Sequence, residues 1–108
     1  MKSVSPGDLL SLSCDELPWE PSTFAAGVFV KNVAVSDGLE MQLVRFEPGA
    51  QFPIHTHERS EFVFVLEGDL ILSGKRLGPG WASVAAPGST HADARSEAGC
   101  VFVLVDQA

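Results

Sequence analysis

An all-β barrel or sandwich of short strands is the fold the sequence predicts, and two observations predict it. Runs rich in Val, Phe, Leu and Ile are broken about every eight to twelve residues by Gly, Pro or Asp. No apolar period of 3.6 is sustained over any long segment. The runs lie roughly at Phe24 to Val35, Glu40 to Glu47, Phe52 to His57, Ser60 to Glu67, Asp69 to Ser73, Gly80 to Ala85, His91 to Ala94 and Gly99 to Val105. Between them stand SDG, EPGA, EGD, GKRLGPG and PGS, which supply the positive-φ or fixed-φ residues that turns need. Only Pro6 to Leu12 is read as a short turn of helix, against the low helix propensity of its Ser and Gly.

The chain has 108 residues, enough to close one core without disulfides or a structural metal. It is expected to form one domain over residues 1–108, with a barrel core at about 24–106 behind an N-terminal arm at 1–23. Fourteen acidic residues against seven basic give a formal net charge of −7, which disfavours phosphate backbones and anionic membranes as partners. The opening MKSVSPGDLLSLSCDELPWEP lacks the continuous apolar core of a secretory signal, and no stretch reaches membrane-spanning length. A soluble, cytoplasmic protein is expected. Cys14 and Cys100 lie far apart and form no CxxC pair, so they are read as small buried or half-buried apolar residues.

Two runs, FVFVL at Phe62 to Leu66 and CVFVLV at Cys100 to Val105, are apolar at every position. Such strands need cover on both faces. One face fills the barrel; the other must meet the N-terminal segment or a second copy of the chain, and a two-fold homodimer is the simpler expectation.

The chemistry concentrates in GAQFPIHTHERSEFVFVLEG, Gly49 to Gly68. On an extended strand, residues two apart share a face, so His55 and His57 can reach one point in space. Neutral imidazoles suit zinc, iron, nickel or copper, and the carboxylate of Glu61 offsets part of a divalent charge. His91, the one remaining histidine, begins a later strand that a barrel can bring opposite the pair. An isolated histidine is ordinarily a surface or core residue with ordinary hydrogen bonds. An HxH pair with a spaced glutamate is a different pattern.

The fixed positions Gly49, His55, His57, Glu61 and Gly68 reproduce G-x5-H-x-H-x3-E-x6-G, the first motif of the cupin superfamily. The second motif, G-x5-P-x-G-x2-H-x3-N, is met less fully by GWASVAAPGSTHADAR. Gly80, Gly88 and His91 are kept at their spacing, the proline has moved one place to Pro87, beside its glycine, and Arg95 replaces the asparagine. Within the superfamily, LVRFEPGAQFPIHTH, VLEGD, PGSTH, EAGCVFVLV and the early Trp19 resemble the cupin half of ChrR-type anti-sigma factors. The resemblance implies a small jelly-roll barrel, a double-stranded β-helix, with His55, His57, Glu61 and His91 as ligands of one divalent metal: zinc, iron, manganese or nickel. It does not imply anti-sigma activity, which in that group resides in a separate N-terminal helical domain with its own zinc site, and these 108 residues leave no room for one.

Metal identity bears on catalysis. Four protein ligands complete a tetrahedron around zinc, whereas six-coordinate iron, manganese or nickel keeps two positions open. The expectation is a metal-dependent, dioxygenase-like enzyme acting on a small organic acid, diketone or phenol; the alternative is a non-catalytic metal-containing sensor. Val63 and Val65 share the parity of Glu61 and should face inward, with Phe62, Phe64 and Leu66 outward. Met41, Leu43, Phe52, Trp81 and Val103 are candidate lining residues, though plain core roles are commoner. Arg59, between His57 and Glu61, can meet an anionic substrate at the rim, and Asp93 can hold the free nitrogen of a ligand histidine; solvated surface roles are the simpler readings. No GxSxG, Walker pattern or histidine beside Cys100 points to other chemistry.

Overall fold

The computed structural model describes all 108 residues and is built almost wholly of strands. In chain order they are β1 (Lys2–Ser3), β2 (Glu20–Pro21), β3 (Val28–Ser36), β4 (Leu39–Phe46), β5 (Gln51–Phe52), β6 (His55–Thr56), β7 (Glu61–Gly68), β8 (Leu70–Leu72), β9 (Lys75–Leu77), β10 (Ala82–Ala85), β11 (Thr90–His91), β12 (Ala94–Arg95) and β13 (Cys100–Gln107). The main sheet runs β1-β3-β4-β13-β7-β10, with β2 also paired to β3. A second sheet runs β5-β12-β8-β9, and β6 pairs with β11. Side chains from the two larger sheets meet in one apolar core: Val28, Val44, Phe46, Val63, Val65, Cys100 and Phe102 from the first, Leu70 and Leu77 from the second. This is the jelly-roll arrangement of two packed layers. No helix is long and apolar enough to cross a membrane.

Several elements differ from the sequence reading. The expected helical turn at Pro6 to Leu12 is a single hydrogen-bonded turn, Asp8 N–H to Ser5 O, and the only helical turn is a 3-10 segment at Cys14–Glu16. Gly7 takes φ 85, a left-handed conformation that does not propagate a right-handed helix. The run Phe52 to His57 is two strands, because Pro53 has no N–H to give to a ladder. The run His91 to Ala94 likewise divides between β11 and β12. Lys75–Leu77, read as turn, forms a strand, since Ser73 (φ 48) and Gly74 (φ 82) alone make the two-residue hairpin joining it to β8.

Parity within β7 is as expected. Val63 and Val65 are buried, Val65 completely, while Phe62, Phe64 and Leu66 are 52%, 47% and 44% exposed. The N-terminal segment covers only part of the outer face. Trp19 lies against Lys31 and Arg45 of β3 and β4, with the cations 4.9 and 4.7 Å from its ring centroid, and the Lys31 ammonium donates to Cys14 O at 2.8 Å. The outer face of β13, β7 and β10 stays bare. Cys100 is buried, Cys14 half-buried, and both are free thiols.

Candidate metal centre

Residues from four places in the chain converge beside the β6–β11 pair. His55 lies on β6 directly opposite His91 on β11, His57 follows β6, and Glu61 opens β7. Backbone bonds set this register: His57 N–H donates to Ser89 O at 2.8 Å, Gly88 N–H donates to His57 O at 2.7 Å, and the Thr56 and Thr90 hydroxyls meet at 2.9 Å. The displaced proline of the second motif leaves the turn intact. Ser89 N–H and Oγ both bond to Ala86 O, at 3.1 and 2.6 Å, with Gly88 at φ 88.

One ligand atom from each of His55, His57, Glu61 and His91 lies within 4.8 Å of all the others, so the four can hold a single ion. His55 Nδ1 sits 2.9 Å from Pro53 O. A carbonyl only accepts, so that nitrogen carries the proton and Nε2 keeps its lone pair for a metal. His57 Nε2 is 3.0 Å from His91 Nδ1, and His57 Nδ1 is 3.6 Å from Glu61 Oε2. Burial, and then the neighbouring imidazoles, push the His57 and His91 pKa values below the ordinary histidine range. Burial raises Glu61, with His55 partly offsetting it. Neutral imidazoles beside a carboxylate are the donor set a divalent transition metal takes, and the residues fit it.

The cluster opens into a cavity of about 640 Å³ inside the barrel, lined by His55, Glu61 and His91 and by residues of both sheets. Of the five candidate lining residues only Phe52 lines it. Met41, Leu43 and Val103 occupy the outward rows of the main sheet, and Trp81 lies under the Lys75 ammonium. Asp93 does not reach a candidate ligand histidine; its carboxylate accepts from Arg95 Nε at 3.1 Å, and the Pro53 carbonyl takes the role considered for it. Arg59 donates to Gln107 at 2.7 Å and does not line the cavity. The sequence reading did not single out Asn32, Glu40, Gln42 and Asp106, which do line it. Their inward parity follows from alternation along β3, β4 and β13 once the register of those strands is known.

The ChrR cupin-like domain family matches residues 9–108. The chain belongs to that family. No curated protein sequence matches this cupin. Among solved structures it is similar to the polyketide cyclase RemF from Streptomyces resistomycificus, at 19% identity and TM-score 0.83, covering 93% of this chain and 80% of that one. It is similar to an acetylacetone dioxygenase from Acinetobacter johnsonii at 14% identity and TM-score 0.78, covering 99% and 78%. It also resembles the complex of Rhodobacter sphaeroides SigE with the anti-sigma ChrR, at 20% identity and TM-score 0.71, covering 87% of this chain and 50% of that one. Identities this low establish the shared cupin fold; function must be argued from the site.

Proposed function

We propose that this cupin binds one divalent transition metal, zinc, iron, manganese or nickel, through His55, His57, Glu61 and His91, and acts as a metal-dependent enzyme of the dioxygenase kind on a small organic molecule. The cavity carries the reading: three of the four ligands open onto a space of about 640 Å³, within the range of small-molecule sites. A metal site serving stability alone has no need of such a space. Once bound, the ion supplies Lewis acidity to a ligand oxygen and, if it is iron, redox chemistry toward O2. The chain's own part is positional. The Pro53 carbonyl fixes the tautomer of His55, burial keeps His57 and His91 neutral, and Phe52, Val63, Leu72 and Phe102 keep water from the body of the ligand.

A second reading, a non-catalytic metal-containing sensor, draws support from the anti-sigma ChrR among the structural relatives. Elemental analysis of protein purified without added metal, followed by oxygen-uptake screening against diketones, phenols and organic acids, decides between them. The expected result is about one metal ion per chain, lost in His57→Ala and His91→Ala, together with oxygen consumption by at least one substrate class. Unchanged metal in both variants removes the site, and full metal content without oxygen uptake favours the sensor.

The same reading includes a homodimer. On the outer face of the main sheet, the row Val84–Phe62–Val105–Met41 and the row Ala82–Phe64–Val103–Leu43 carry no charge. A contiguous apolar face of this kind is uncommon on monomers. In a chain of net charge −7, it is also a face on which two copies can meet without like-charge repulsion.

A further inference from the structure

The inner face of the main sheet grades from apolar to polar along the barrel. Its successive cross-strand rows are Val28–Phe46–Cys100, then Val30–Val44–Phe102–Val65, then Asn32–Gln42–Leu104–Val63, and finally Glu40–Asp106, whose next neighbour across β7 is Glu61. Strands are about 4.8 Å apart, so Asp106 stands one spacing and Glu40 two spacings, roughly 10 Å, from the metal-ligand carboxylate.

Acidic and amide side chains line the cavity at this polar end. Gln42 Nε2 donates to Asn32 Oδ1 at 2.6 Å, and Asn32 Nδ2 donates to Glu20 Oε2 at 3.4 Å. An ionised carboxylate only accepts, so Glu20 fixes the direction of this chain, which uses one N–H of each amide. Glu40 and Asp106 stand side by side as cross-strand partners on this face. Asp106 Oδ1 is enclosed with no hydrogen-bond partner, and a buried acceptor without a donor is costly. No lysine or arginine lines the cavity, while Glu20, Glu40, Glu61 and Asp106 all do.

Resting on the reading of this cavity as the ligand chamber, the geometry points to a substrate class: a small neutral or cationic molecule that binds the metal at one end and presents a hydroxyl or ammonium group to Asp106 and Glu40 at the other. A carboxylate at that second end enters a cavity lined by four acidic side chains and by no lysine or arginine. Small organic acids that would place their carboxylate there are therefore disfavoured, and amines and alcohols are favoured.

Three probes with one metal-binding head and different tails test this: dopamine, 3,4-dihydroxyphenylethanol and 3,4-dihydroxyphenylacetate, titrated calorimetrically into the protein as purified, without oxygen, at pH 7. The common catechol head cancels in the comparison. The ammonium and hydroxyl tails are expected to bind at least about tenfold more tightly than the carboxylate. That spread should shrink to about threefold or less in Glu40→Gln/Asp106→Asn, and partly in Glu40→Gln alone, which replaces one carboxyl at nearly constant shape. Carboxylate binding as tight as the others, a spread that survives both variants, or no binding by any probe overturns the assignment. Loss of the selectivity with metal content and oxygen uptake intact sinks this inference alone. Selectivity retained in a protein without oxygen uptake sinks only the oxygenase reading.

Discussion

Asp69 shows what one buried carboxylate does for this barrel. Ser96 Oγ and Ala98 N–H donate to its Oδ1 at 3.0 and 2.9 Å, and Glu97 N–H and the Arg76 guanidinium donate to its Oδ2. The turn after β7 is thereby tied to the turn before β13. Burial opposes the charge, but the Ala98 amide, the Ser96 hydroxyl, the Glu97 amide and Arg76 outweigh it and hold the carboxyl below the ordinary aspartate range. A depressed folded-state pKa contributes stability above the unfolded value, lost as pH falls through the folded one. Asp69→Asn is expected to cost about 2 kcal/mol at pH 7. Urea melts should show the gap between variant and wild type closing as pH drops below about 4; a gap independent of pH would mean the charge contributes nothing.

At the scale of elements, the two glycines that bracket the first motif have different duties. Gly68 ends β7 at φ 74, and a Cβ there would lie 1.9 Å from Gly99 O and 2.8 Å from Cys100 Cα. Gly49 takes φ 83 but has open space around it. Gly68→Ala therefore carries both left-handed strain and a backbone collision, and is expected to cost about 3 kcal/mol or more, against about 1 kcal/mol for Gly49→Ala. Equal losses in equilibrium unfolding would show that the close approach of the β7 end to β13 is not what the glycine serves. The strand runs were legible in sequence because turn residues punctuate them. Their breaks at Pro53 and at the Ser73–Gly74 hairpin were less so, since a short hairpin hides inside a longer Gly-rich stretch. The candidate ligand set was legible for a related reason: His55, His57 and Glu61 lie in one short stretch, and His91 was the only histidine left.

For the whole molecule, the bare outer face of β13, β7 and β10 predicts that the purified protein runs at twice its chain mass. Phe64→Asp puts a charge at 47% exposure in the middle of that face without touching the cavity side of β7. Light scattering should show the variant as a folded monomer with unchanged metal content. A wild type that is monomeric at high concentration would leave the outer phenylalanines without the role given them.

The sequence by itself determined the all-β class, the inward parity of Val63 and Val65 and the identity of the candidate ligands, because alternation and motif spacing act over a few neighbouring residues. Tertiary structure decided which polar groups line the cavity. Asn32, Glu40, Gln42 and Asp106 come from three strands whose cross-strand register is a long-range property. Only the closed barrel sets Asp106 beside Glu40, with an oxygen that has no partner.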